Sequence, residues 1–428
     1  MQGTPPNCPP EADIKEGLDT SNLIETIPQP VRLSAPKDVP IENVRYLASY
    51  NWVDTEKPTI VVPGSPGVFT GRDVPFTLQP DTGSNFIDQN AGHLSDYPML
   101  PLFTAVDVMY GNEAPVDWPS VDVITDRNGL RKLLRWLSPS AGREVCDFRI
   151  DVELIGTKTI VLGRWEGWAR NPPSMRSFGF GFEAAMTSPY PGCPGSGHHR
   201  AISYDMHDLK MIVRFEVDAC SSSTNAGTAT ATQPEISDMK NYEKNKPSQS
   251  VADLADALES INLASAASAP TKTSARSSEP IINVIRAGTQ VPQDALLELT
   301  SRSKYYVDQL DWNELYPQLV LSQTPTLHLG IHERGTFTEL REWRVDGAGA
   351  DGDTGAPADF AAQRRRTAEH VVRLARVLED VQELAISRGP GPAGSFSLVC
   401  ERGQLRVYAC KGAKSCLLPD VKERFAGA

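Results

Sequence analysis

Carboxylates on three apolar stretches constrain this chain more than any other feature. FGFGFEAA puts Glu183 at the end of an alternating aromatic run, MIVRFEVDAC carries Glu216 and Asp218, and ALLELTSRS carries Glu298 just before Thr300. Each run reads as a β-strand from its alternation and its β-branched or aromatic content. Side chains two apart on a strand share a face, so Glu216 and Asp218 look out together. Around Glu183, Gly179 and Gly181 on the same face leave room for a close approach to the backbone. An acid on an otherwise apolar strand is costly to bury unless a positive group meets it. A solvated strand face would account for any one such pair. Three together point to a hard divalent cation, which takes several carboxylate oxygens, and so to metal-dependent phosphoryl-transfer chemistry.

Charge narrows the substrate class. The 428 residues carry a net charge of −12. Non-specific nucleic-acid binding rests on neutralising phosphates, so this is not a general nucleic-acid coat, and any such contact must be local. Arg200, Lys210, Arg214, Arg302 and Lys304 lie near the acids in sequence. The seven cysteines show no C-x-x-C and no paired Cys/His spacing, which argues against structural zinc and fits reduced thiols in an intracellular protein. The N-terminus has no apolar core of a secretory signal, and no stretch reaches the ~18 apolar residues of a membrane span. A nuclear or cytoplasmic protein, not secreted and not in a membrane, is expected.

Residues 1–40, with scattered prolines, read as a disordered tail, and 41–428 as a single domain. Within it, 41–110 looks loop-rich, and low-complexity insertions are expected at 221–279 and 346–358. The apolar spacing at 251, 254, 258 and 261 predicts a helix over 251–264, suited equally to binding a protein partner and to lying on the parent domain. NGLRKLLRWL predicts an amphipathic helix with a leucine stripe. FRIDVEL with KTIVLGRW, and AISYDM with LKMIVRFEVDA, predict hairpins. His198 and His199 fall in a Gly/Pro-rich segment and read as a mobile loop pair rather than as metal ligands. DWNELYPQLVLSQ reads as a helix, TLHLGIHER as a strand, 359–388 as a long helix and SFSLVCERGQLRVYAC as a closing hairpin. The order of elements predicts an α+β fold.

Taken in order, these motifs resemble the DXO-type decapping exoribonucleases, a branch of the PD-(D/E)xK nuclease superfamily, in a divergent, fungal-type form. GFGFE resembles that family's glycine–apolar–x–apolar–Glu motif, FEVDA its E-x-D strand and LELTSR its E-x-K strand. Gln318 in PQLVLSQTP, His332 in GIH and the terminal LLPDV match later motifs. The resemblance covers about residues 120–425. It implies a mixed sheet flanked by helices, with Mg or Mn held by Glu183, Glu216, Asp218 and Glu298. It also implies hydrolysis at RNA 5′ ends, by decapping, pyrophosphohydrolase or 5′–3′ exoribonuclease action, with Gln318, His332 and Arg302 contacting the RNA.

One departure matters. The family's E-x-K lysine is Thr300 here. Losing such a preorganised group typically costs ~10²–10³-fold in rate. Either Lys304 or an arginine replaces it, or the chain is a weakened or inactive relative that binds RNA ends or acts as a scaffold. Isoprenoid diphosphate synthesis, another metal–carboxylate chemistry, needs DDxxD motifs on helices, and the sequence has none.

Overall fold

The computed structural model describes residues 13–31, 40–83, 85–113, 115–139, 145–170, 177–222, 280–345, 360–412 and 414–426. In chain order its strands are β1 (Leu18–Ile27), β2 (Ile41–Val53), β3 (Thr59–Gly64), β4 (Val68–Phe69), β5 (Phe76–Thr77), β6 (Val123–Asp126), β7 (Phe148–Ile155), β8 (Thr159–Arg164), β9 (Thr187–Ser188), β10 (Ser196–Met206), β11 (Leu209–Val217), β12 (Ala219–Cys220), β13 (Asn283–Gly288), β14 (Leu296–Ser303), β15 (Thr326–Glu333), β16 (Thr336–Arg344), β17 (Phe396–Glu401) and β18 (Gln404–Cys410). The helices are α1 (Gln89–His93), α2 (Leu100–Tyr110), α3 (Arg127–Leu137), α4 (Gly179–Met186), α5 (Trp312–Ser322), α6 (Phe360–Arg388) and α7 (Pro419–Glu423). The described residues up to Ser222 and from Ile282 onward fall in one compact unit.

The fold is α+β, with two mixed sheets flanked by helices. The larger runs β1-β18-β17-β7-β8-β6-β11-β10-β2-β3-β13 and the smaller β5-β16-β15-β14-β12-β4-β9. Most neighbours are antiparallel, but β6 lies parallel to both β8 and β11, and β14 parallel to β15. Both faces of the large sheet are covered, and one strand shows how. Along β11, Met211 and Val213 pack under α3 and α6, while Ile212 packs on the other side with α2 and α7. The stripe on α6 seals the first layer, where Val371, Leu374, Leu378 and Val381 have no solvent exposure. Burying each such side chain contributes about 1.5–3 kcal/mol. Among the described residues, no helix is long and apolar enough to cross a membrane.

Several expectations are corrected. Within the 1–40 segment expected to be a disordered tail, Leu18–Ile27 forms β1, antiparallel to β18. Its side chains are mostly exposed, so backbone pairing rather than apolar patterning holds it. The region 41–110 is not loop-rich. It supplies β2, β3 and α2, and Leu47, Ala48, Tyr50 and Trp52 are buried on both faces of β2, which erases the alternation that marks a half-exposed strand. His198 and His199 are buried on β10, paired with β2 and β11, and not in a mobile loop. Cys146 is in a disulfide, against the expectation of reduced thiols throughout, whereas Cys193, Cys220, Cys400, Cys410 and Cys416 are free. The expected insertions, apart from Ser221 and Ser222, and the 251–264 helix lie outside the described residues.

The run FGFGFEAA is the largest correction, because it is α4 and not a strand. Phe182 and Met186, one turn apart, point into the core, and Phe182 stacks on Phe337 at 5.0 Å. Gly330 on β15 makes that approach possible, since a Cβ there would lie 2.3 Å from the Phe182 ring. Gly330→Ala is therefore expected to destabilise the protein by about 1–3 kcal/mol, read from urea unfolding, through overpacking against α4. An unchanged midpoint would mean that α4 is free to shift.

Candidate functional site

The two sheets meet at the acids. β11 ends in the large sheet at Val217, and the chain passes through Asp218 directly into β12 of the small sheet. There Ala219 pairs with Leu297 and Cys220 with Leu296, antiparallel. The same register carried one residue further sets Asp218 opposite Glu298. Asp218 Oδ2 accepts a hydrogen bond from the Leu299 N–H at 2.8 Å, which fastens the crossing to β14. Glu216 stands two residues back on β11, exposed. Glu183 arrives from α4, whose Phe182 packs with Leu297 and Leu299 on one face of β14. The first two N–H groups after Gly179 point at Asp81, whose carboxylate accepts from Phe180 at 3.4 Å and Gly181 at 3.0 Å. That long-range acceptor supplies the N-terminal partner that a helix needs.

The four acids feel one another. Burial pushes the Glu183 carboxyl up to about 8, with Glu216, Glu298 and Asp81 adding to the shift. Burial likewise drives Asp218 well above the carboxylate range, with Glu298 and Glu183 reinforcing it and the Leu299 N–H opposing it. This is the behaviour of carboxylates short of positive charge. The donor set is all hard oxygen, which fits Mg or Mn and does not fit a thiolate-seeking metal. The acids are nevertheless spread wider than a closed coordination shell. Among the described residues, the one set of three or more groups whose ligand atoms all lie within 4.8 Å of one another is His207, Asp208 and Glu379, where His207 and Asp208 are exposed at the β10–β11 turn.

Glu298 has partners of its own. Arg127, at the start of α3, places Nη1 3.1 Å from Glu298 Oε2 and 3.1 Å from Ser322 Oγ. Gln318 on α5 donates from Nε2 to Glu298 Oε1. Gln318, expected to meet RNA, is thus a direct partner of a site acid. Arg127 was not anticipated. The run Arg127, Arg131, Arg135 is spaced by four, which puts three guanidinium groups on one face of α3. Read for its leucines alone, that helix looks like core packing. The face meets Glu298 through Arg127 and Glu314 through Arg131 (3.5 Å) and Arg135 (2.7 Å). Arg131 is lowered to about 9 by burial and then by Arg135 and Arg127.

The remaining expected residues divide. Thr300 lies on β14 two residues beyond Glu298, on the same face and half-buried. Arg302 continues that face into solvent. Lys304 does not reach in to replace the lysine, since it is 45% exposed and ion-paired with Glu333. Of the two replacements weighed, an arginine is the one at the acids. His332 is buried on β15 between Phe178 (4.8 Å) and Phe337 (5.0 Å), and its Nδ1 accepts from the Gly335 N–H at 3.3 Å. Its contacts are with the protein core, and burial holds its pKa below the usual value.

An α+β chain with carboxylates gathered at a sheet junction defines a class, and family comparison gives the membership. Residues 21–425 match the family model of a domain of unknown function, DUF8563, and the chain belongs to that family. No curated protein matches it. Among solved structures, the chain is similar to S. pombe Rai1 in complex with 3′-FADP, at 13% identity and TM-score 0.49, covering 89% of this chain and 96% of that one. Scheffersomyces stipitis Rai1 gives 12% and 0.48 over 94% and 97%. Candida albicans Rai1 in complex with pU5-Mn2+ gives 11% and 0.47 over 92% and 99%.

Proposed function

We propose that Glu183, Glu216, Asp218 and Glu298 hold a divalent cation, Mg or Mn, and that the chain is a metal-dependent hydrolase acting on RNA 5′ ends. The observation that carries this reading is the meeting of the acids where the sheets join, with Asp218 bonded to the Leu299 N–H at 2.8 Å opposite Glu298, and with burial, reinforced by Glu216 and Glu298, raising the Glu183 carboxyl to about 8. The ordered motifs GFGFE, FEVDA and LELTSR, with their resemblance to DXO-type nucleases, supply the substrate class. A bound cation would polarise the phosphate and lower the pKa of a water. The chain's own groups do the rest. Gln318 orients Glu298 through its amide. Arg127 is a fixed positive charge beside the acids, placed to offset charge on a phosphate oxygen. The Thr300 hydroxyl can donate one neutral hydrogen bond, where an ammonium would bring charge.

The second reading is a weakened or non-catalytic relative that binds RNA ends. What favours it is that Arg127 and Gln318 already engage both oxygens of Glu298. Thr300→Lys separates the two. The substitution points an ammonium along the face that carries Glu298, so the acids meet its charge. Hydrolysis of 5′-triphosphorylated RNA with Mn²⁺ is expected to rise by ~10-fold or more. A wild type already as fast as the variant would assign the missing charge to Arg127. A variant that binds Mn²⁺ and RNA yet stays inactive would leave the non-catalytic reading.

A further inference from the structure

At the far end of β14 the surface changes character. The strand continues into a 3-10 turn, Lys304–Gln309, that carries Tyr305 and Tyr306. They are 62% and 58% exposed, the two most exposed aromatic side chains among the described residues. Exposed aromatics are ordinarily loose, but Tyr305 is pinned. Its hydroxyl donates to Glu333, and the Lys304 ammonium sits 5.1 Å from its ring centroid while ion-pairing with the same Glu333. The parallel pairing of Ser303 with His332 brings Glu333 to this spot. Arg302 precedes the pair on β14, and Arg334 follows Glu333 at the β15–β16 turn and acts on it together with Lys304, so basic side chains cluster here on a chain of net charge −12.

This rim is in line with the acids. Glu298, Thr300 and Arg302 share a face of β14, and at 3.3 Å per residue Ser303 stands about 17 Å from Glu298. A polymer with its end at the acids would run over Thr300 and Arg302 to reach Tyr305 and Tyr306. Single-stranded nucleic acid is bound by this combination of a basic path for the backbone and aromatic faces on which bases stack without sequence preference. Fixing the Tyr305 ring in advance removes part of the ordering cost of binding.

We propose that Tyr305 and Tyr306, flanked by Arg302, Lys304 and Arg334, form a stacking platform for nucleotides of single-stranded RNA whose 5′ end lies at Glu183, Glu216, Asp218 and Glu298. The inference rests on the RNA-end reading above and extends it to where the chain downstream of the end is held. Fluorescence anisotropy on the full chain tests it, with Ca²⁺ as the cation and a labelled 5′-phosphorylated oligouridylate of about ten nucleotides as the probe. Uridine 5′-monophosphate, too short to span from the acids to the rim, serves as competitor. Tyr305→Ala combined with Tyr306→Ala is expected to weaken the oligonucleotide by at least about tenfold and to leave competition by the mononucleotide unchanged. Tyr306→Phe, which keeps the ring, should bind like wild type. If wild type binds the oligonucleotide and the double variant binds it equally well, the platform is wrong and the RNA reading stands. Equal weakening of both probes would also overturn the platform, because it would place the effect at the acids. If wild type takes up Mn²⁺ but binds no RNA, the RNA reading itself fails and the platform goes with it.

Discussion

Metal-free protein is expected to lose stability as pH rises from about 5 to about 8, and Glu183→Gln is expected to remove the part of that loss that Glu183 carries, leaving the part due to Asp218. Glu183 titrates at about 8 in the folded protein, against an ordinary 4.5, and Asp218 is also raised well above its ordinary value. The folded state therefore keeps protons that the unfolded chain releases. The stability this confers is complete below pH ~4 and is lost as pH climbs through the folded values. For Glu183 the loss is of order a few kcal/mol. Melting curves of wild type and Glu183→Gln at several pH values, with and without Mn²⁺, measure it. The variant should melt above wild type at pH 8, and Mn²⁺ should flatten the wild-type profile by supplying the missing charge. A variant with the wild-type slope would mean that Glu183 does not share the acids' charge.

Arg127→Ala should produce the other large effect. It removes a guanidinium 3.1 Å from Glu298, where both side chains are 11% exposed, and leaves that carboxylate beside Asp218 and Glu183. Stranding one member of a largely buried ion pair costs about 3 kcal/mol. Urea unfolding of metal-free protein at neutral pH should show that loss, and saturating Mn²⁺ should recover part of it. A change below about 0.5 kcal/mol, the range of an exposed pair, would mean that Arg127 is a surface residue swung inward.

What the sequence exposed and what it hid follow one physical line. The hairpins β7–β8, β10–β11 and β17–β18 and the long helix α6 were legible because their periodicity is local. So was β14, because Glu298 stands out against Leu296, Leu297 and Leu299. The helix carrying Glu183 was hidden because alternating Phe and Gly imitates a strand, while the group that favours the helix is Asp81, far away in sequence. The same holds for Arg127. Its spacing with Arg131 and Arg135 was in the sequence, but its pairing with Glu298 depends on α3 packing against α5, which no local pattern records. His332 sits among Phe178 and Phe337 because Gly335 turns the chain there at φ +92°, where its Cβ would meet Leu78 and Phe178.

The central claim is that the four acids form a divalent-cation site. Isothermal titration of Mn²⁺ into wild type and into Asp218→Ala tests it most directly, because Asp218 is the residue at which the two sheets join and the one bonded to β14. The account predicts saturable binding to wild type and at least about tenfold weaker binding to the variant, with the variant's fold intact by circular dichroism. Equal Mn²⁺ binding by the two proteins would contradict it.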